Sequence, residues 1–209
     1  GQPRDVASPD INTEDFSAAV DFLGLQGEVD RTRIGLLGIC GWGGMALNAA
    51  AADTRVKAVA TSVMYDMSRA MGHGVGDGKD RYTTADRRAI LKHLNEQRWQ
   101  DAESGSFAHS NHDLYVDQKG KVTAASRTLP EALPDNPHPV LKEFFDYYRV
   151  PRGFHARSVN SNGAWTTTMP LSFMNMPLLS YANEVTIPTL IVTGEKAHSR
   201  YFAEDAFKA

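Results

Sequence analysis

A chain of 209 residues with 42% hydrophobic side chains can enclose one substantial core, or a core and a smaller appendage. A formal charge of −3 without any Lys/Arg run leaves no electrostatic footprint for nucleic acid, and apolar runs such as Ile187–Val192 fall far short of the ~20 residues of a bilayer span. The single cysteine excludes an internal disulfide and, with no signal-peptide pattern at the start, the expected compartment is reducing and cytoplasmic.

After a polar, Pro-containing opening, NTEDFSAAVDFLGL has helical spacing. Asn12 or Thr13 can cap it, Glu14 and Asp15 suit its positive end, and Phe16, Val20, Phe22 and Leu23 form an apolar face. Arg33–Ile39 reads as a buried strand, Gly43–Ala52 as an Ala-rich helix, and Val56–Tyr65 as a second buried strand. Helix, strand, helix, strand at short spacing predicts a parallel sheet with helices on both faces, an α/β class.

The pattern then breaks. Gly72–Gly78 reads as a loop and Thr83–Asp101 as an amphipathic helix with Ile90, Leu91, Leu94 and Trp99 on one side. Leu114–Ala124 suggests a small hairpin turning at Gln118–Lys121. A Pro-rich connector, Pro130 to Pro139, leads into a helix carrying Leu141, Phe144, Phe145 and Tyr148, and MPLSFMNMPLLSY reads as packed irregular helix. Ile187–Gly194 resumes the parallel-strand style and RYFAEDAFKA begins a last helix. The interruption of about 115 residues is too long for a plain connection, so residues 1–66 and 185–209 are expected to form the core and 67–184 a cap inserted over a binding site.

The stretch RIGLLGICGWGGMALNAAAAD sets the functional question. Gly41-Trp42-Gly43-Gly44-Met45-Ala46 satisfies G-x-G-x-x-G/A between a strand and a helix, and Asp66 lies 20 residues past Ala46, where a ribose-binding acid would stand. Against a dinucleotide site, no further βα units follow promptly, and Trp42 would crowd the pyrophosphate. The other reading is a nucleophile elbow, a strained strand-to-helix turn that needs small neighbours and lets the helix N-terminus stabilise a thiolate or oxyanion. One register places Cys40 at the nucleophile position with Trp42 where a small residue is usual. The other keeps the small neighbours and puts the inert indole of Trp42 at the nucleophile position.

Together, RIGLLGICGWGGMALNAAAADTRVKAVATSVMYDMSR, IPTLIVTGEKAHSRYFAEDAFKA and NTEDFSAAVDFLG resemble the α/β-hydrolase superfamily, in its bacterial branch near the dienelactone-hydrolase-like proteins. The resemblance implies covalent acyl transfer on an ester, lactone or amide, with Cys40 as nucleophile, an oxyanion held near Gly41, and Trp42 and Tyr65 beside the substrate. It implies an acid either at Asp66 or near Glu195 (the more usual position is Ala197) and a histidine base on a loop expected beyond Ala209, for which His198 is the substitute within this chain. It also implies front and final portions of the domain beyond this sequence, which begins at Gly1 rather than Met and ends at Ala209 in a helical pattern. The bland alternatives are a buried small Cys40, an Asp66 helix cap, a Trp42 plug and a backbone-bonded His198, which together would make a degenerate binding or scaffolding module. His73 reads as a loop residue. His109, His112 and Asp113 hint at metal spacing too thinly for a metal to be expected. The expected partner is a small-molecule substrate, with no cofactor, nucleic acid or membrane; a homo-oligomer is compatible with the sequence, which sets no oligomeric state.

Overall fold

The computed structural model describes residues 4–76 and 78–209. Asp77, within the expected Gly72–Gly78 loop, and residues 1–3 of the polar opening lie outside the described residues. The chain divides into two compact units: the described part of Gly1–Val6 with Thr83–Leu171, and Ala7–Tyr82 with Ser172–Ala209.

The second unit holds the sheet. Its first helix, α1, runs Pro9–Gly24, a turn earlier than the capping residues Asn12 and Thr13 suggested. Pro9 at the first helical position supplies a preset φ and lacks an N–H that would go unpaired there, and Ser8 takes the cap position in extended backbone. Asn12 is instead buried within the helix, where its Oδ1 accepts the Ser8 N–H at 2.9 Å. Val20 is buried and Phe16 packs on the core, whereas Phe22 and Leu23 are exposed, so the apolar face is narrower than expected. A short 3-10 turn at Arg31–Arg33, capped by Asp30, delays strand β1 to Gly35–Ile39. Helix α2 then runs Gly41–Ala52, strand β2 Ala58–Ser62 and helix α3 Met67–His73. Gly72 and His73, read as loop, form the last turn of α3, which Gly74 ends at φ +72°.

In the other unit, helix α4 (Thr84–Ser104) is closed by a capping box between Thr83 and Asp86 and by Gly105 in the left-handed region. Ile90 and Leu94 are buried as expected, but Trp99 stands 73% exposed. The expected hairpin is β4 (Leu114–Val116) against β5 (Val122–Ala124), on which α4 packs, with the Asp117 carboxylate accepting from the Lys119 and Lys121 N–H groups in the turn. Strand β3, His109–Ser110, pairs antiparallel with the distant β6, Trp165–Thr166, a pairing that two-residue strands leave no periodicity to announce. Helix α5 (Pro139–Tyr148) keeps no side chain fully buried, and α6 is a single turn at Val159–Asn162. Within α7 (Pro170–Met174) the chain returns to the sheet unit, which strand β7 (Thr189–Val192) and helix α8 (Arg200–Lys208) complete.

The sheet is parallel, in the order β1-β2-β7, with Ile39 opposite Ser62 and Ser62 opposite Val192. On one face Val59, with Leu36 and Ile191 partly buried, joins Ala46 and Leu47 of α2 and Ala203 of α8 in one core cluster. On the alternate positions Leu37, Ile39, Leu190 and Val192 are 60%, 56%, 61% and 48% exposed. The strands are therefore not buried throughout, as their continuous apolar composition suggested; composition does not tell a covered position from an open one.

Helix α2 lies against the sheet at contact distance because the residues between them lack Cβ atoms. A Cβ on Gly38 would stand 2.4 Å from the Trp42 carbonyl oxygen and 2.8 Å from the Gly43 Cα, and one on Gly43 would stand 2.4 Å from the Met64 Cβ. Neither backbone can retreat without moving the helix. Gly38→Ala is expected to lower stability by about 1–3 kcal/mol in urea unfolding, while Gly27→Ala, which meets nothing within 4 Å, stays within about 1 kcal/mol of the parent.

Candidate active site

Strand β1 and helix α2 are joined by one residue, Cys40, at φ +57° and ψ −126°. A residue with a Cβ rarely adopts this conformation, and it persists only where the surroundings over-determine it. Here they do. The Cys40 N–H donates to the Ser62 carbonyl at 3.0 Å, and its own carbonyl accepts from the Tyr65 and Gly43 N–H groups at 2.9 and 3.0 Å. The Gly44 N–H donates in turn to the Tyr65 carbonyl at 3.2 Å. The strained turn belongs to Cys40 and not to Trp42, which occupies the second position of α2 with its indole 40% exposed. Gly38, two residues before Cys40, is the small neighbour this register needs.

A second strained residue sits beside the first. Val63, directly after β2, has φ +43° while its N–H donates to the Val192 carbonyl at 2.8 Å. Positive φ is costly for a β-branched side chain, and no sequence signal marks it. Both distortions fall at the carboxyl ends of neighbouring parallel strands, the edge where ligands bind in open α/β sheets.

The Cys40 residue is exposed, although its sulfur is flanked closely enough that burial pushes the thiol above its ordinary value of 9.0, partly opposed by the Gly41 N–H. Among the described residues no side chain hydrogen-bonds to this thiol. A Cβ on Gly41 would stand 3.0 Å from Met67 Sδ. The Tyr65 hydroxyl and His198 Nε2 are hydrogen-bonded, their rings meet edge-on at 5.7 Å, and Phe202 tilts against Tyr65 at 5.2 Å. The structure thus brings Tyr65 to His198 through side chains and to Cys40 through backbone. Asp66 serves a different purpose: as N-cap of α3 its Oδ1 accepts the Arg69 N–H at 3.0 Å. Burial raises the Asp66 pKa, opposed by N–H groups of Arg69 and Ser68 and by the charges of Arg69 and His73.

The remaining candidates lie elsewhere. Glu195 is exposed, with its carbonyl accepting from Arg200 at 3.3 Å. The His73 carbonyl receives the Arg81 and Tyr82 N–H groups at 2.9 and 2.6 Å. In the other unit His109 Nε2 stands 3.5 Å from Asp5, and His112 is edge-on to Trp165 at 6.4 Å, with burial pushing its pKa down. No group of three metal-ligating side chains occurs among the described residues. The dinucleotide alternative finds the Asp66 carboxylate already engaged at the cap of α3 and the Trp42 indole in the first turn of α2.

A parallel sheet, a one-residue strained elbow and a helix launched from it define an α/β fold of the hydrolase type. Structures sharing it include the α/β hydrolase GrgF from Penicillium sp. sh18 (TM-score 0.66) and DcsB in complex with its substrate analogue (TM-score 0.68), each at 17% identity, with all of this chain matched to 62% of that one. The crystal structure of hypothetical protein PA2218 from Pseudomonas aeruginosa matches the whole chain at TM-score 0.86 and 53% identity, over 59% of that chain. In sequence, the chain is 54% identical over 210 residues to the uncharacterised protein PA2218 of Pseudomonas aeruginosa, covering all of this chain and 51% of that protein. It is 28% identical over 209 residues to the uncharacterised protein YcjY of Escherichia coli K12, covering 99% and 61%. The chain therefore spans between about half and three-fifths of the length of these curated relatives. No family model matches it. No helix among the described residues is long and apolar enough to cross a membrane.

The Asp66 cap yields a test of role. Because its folded pKa is raised, Asp66 contributes most to stability below the ordinary carboxylate range, and that contribution is lost as pH rises through the raised value. Once ionised, the carboxylate caps the helix at the cost of its own desolvation. Asparagine caps as well without the charge, so Asp66→Asn is expected to unfold at pH 7 no earlier than the parent in a thermal melt, whereas Asp66→Ala loses about 1 kcal/mol.

Proposed function

We propose that the protein is a hydrolase acting on a small ester, lactone or amide by covalent acyl transfer, with Cys40 as its nucleophile. The observation that carries this reading is the Cys40 backbone, held at φ +57° at the carboxyl end of a parallel strand and opening a helix. In the reaction, Cys40 Sγ bonds to the carbonyl carbon as the thiol proton passes to a base. The carbonyl oxygen takes the negative charge beside the Gly41 N–H and the positive end of α2. The carbonyl then re-forms, the bond to the alcohol or amine breaks, and that group leaves with the proton. Water hydrolyses the thioester and restores the thiol. His198, hydrogen-bonded to the Tyr65 hydroxyl, is the base in this reading, and Asp66, at the cap of α3, is the candidate acid. Trp42 and Tyr65 flank the acyl group. The site calls for no cofactor, and the compartment is taken to be cytoplasmic.

One observation favours a second reading. The thiol has no side-chain partner among the described residues and its pKa is raised, which is the wrong direction for an activated cysteine. A fold that retains the elbow without an ion-paired thiolate would serve as a binding module, with Trp42 filling the place of an acyl group.

Turnover separates the two. With short p-nitrophenyl esters the hydrolase reading expects hydroxylamine-labile acyl adducts on the protein, release of nitrophenolate, and loss of both in Cys40→Ala. A Cys40→Ala variant that hydrolyses as fast as the parent would eliminate the mechanism. The binding-module reading expects no turnover by the parent and its appearance in Trp42→Gly. Alkylation of the ligand-free protein by iodoacetamide is expected to reach half its maximal rate above pH 9.0, the ordinary thiol value, as burial requires.

A further inference from the structure

Away from the elbow, within the unit formed by Thr83–Leu171 and the described part of Gly1–Val6, lies an open cavity of about 460 Å³. Three guanidinium-bearing residues line it, Arg4, Arg127 and Arg157, against a single carboxylate, Asp5. Among the described residues no carboxylate or other hydrogen-bond partner engages the side chain of Arg4 or of Arg157. Unpaired arginines lining a concavity keep their full attraction for an anion, since no internal ion pair must be broken to bind it.

The segments that carry these groups are fixed. The Asp5 carbonyl accepts the Thr166 N–H at 2.8 Å, which ties the residue after Arg4 to strand β6. Arg157 follows a turn in which its N–H donates to His155 Nδ1 at 3.1 Å and the Ser158 N–H to the His155 carbonyl at 2.9 Å. Arg127 donates to the Asn162 carbonyl at 3.2 Å and pairs with the exposed Glu131 at 2.9 Å, so its guanidinium is placed before any ligand arrives. His109 Nε2 stands 3.5 Å from the Asp5 carboxylate, the one carboxylate of the lining.

We infer that this cavity binds a small phosphomonoester. Arg4 and Arg157 bring two unpaired positive charges, beside an Arg127 shared with Glu131, to meet a ligand of two negative charges, which a phosphomonoester approaches at pH 7. The donors belong to separate segments of the chain, and the Ser126 and Ser158 hydroxyls add to them. A tetrahedral oxyanion accepts from several directions at once, whereas a carboxylate accepts only near its own plane. The cavity is larger than an inorganic phosphate requires, and Ala156, Val159 and Ala164 supply an apolar wall for the organic group. The inference does not depend on acyl transfer at Cys40.

Isothermal titration of the purified protein with phenyl phosphate at low ionic strength tests it. Saturable binding is expected, at least about tenfold weaker in Arg157→Gln and in Arg4→Gln, since each loses a charge-assisted bond. Neither side chain holds the fold together, so both variants should melt with the parent. Arg98→Gln, exposed and outside the lining, should bind as the parent does. Absence of saturable binding, or binding undiminished in both Arg157→Gln and Arg4→Gln, would overturn the site. Inorganic phosphate binding as tightly as phenyl phosphate, or succinate more tightly, would overturn the assignment to a phosphomonoester.

Discussion

The close approach of helix α2 to the sheet governs the sheet unit. Gly38, Gly43 and Gly44 lack the Cβ atoms that would push the helix outward: a Cβ on Gly44 would lie 2.6 Å from the Tyr65 carbonyl oxygen, as one on Gly43 would crowd Met64. With the helix this near, the chain has one residue in which to turn from strand to helix. That residue is forced into the left-handed half of backbone space. The cost is balanced by hydrogen bonds on both sides of Cys40, to Ser62, Tyr65 and Gly43. Interior packing and a strained dihedral are thus consequences of a single geometric demand.

That demand was legible in the sequence because it is written in glycine. An apolar run ending in Cys40 and followed by Gly41, Gly43 and Gly44 marks a tight strand-to-helix turn, and spacing alone left open whether Cys40 or Trp42 stood at its apex. The backbone resolves the register in favour of Cys40. Val63 gave no warning, since a valine after a β-branched strand looks like more strand. Its N–H pairs with Val192, a partner 129 positions along the chain that no local pattern encodes. The Tyr65–His198 bond is long-range in the same way, and spacing could nominate each residue but not join them.

The element boundaries that departed from expectation share a cause: local rules compete, and tertiary context decides. Asn12 and Thr13 are good caps, yet Pro9 one turn earlier starts the helix because a preset φ and an absent donor suit its first position better. Phe22, Leu23 and Trp99 have helical spacing but no opposing surface in the structure, so periodicity identified the helix and misjudged how much of it is covered. The four open positions on β1 and β7 follow the same logic. A strand's composition records what its side chains tolerate, and burial is a property of what lies opposite.

At the elbow, geometry and electrostatics pull in different directions. The helix N-terminus and the Gly41 N–H favour negative charge on sulfur, and both are short-range effects confined to the first turn. Desolvation disfavours the same charge and is the larger influence on this thiol. A substrate carbonyl alters the balance: once the sulfur has attacked, the charge sits on oxygen, and the sulfur becomes a neutral thioether suited to a poorly solvated place. Desolvation that suppresses the resting thiolate then penalises the product of attack much less than it penalises the free anion. A raised thiol pKa in the resting protein and covalent chemistry at the same atom are therefore compatible, provided that the proton leaves only as the carbon–sulfur bond forms. Such concerted transfer requires a base that reaches the thiol when substrate is bound, which is the role assigned to the His198 ring that Tyr65 holds.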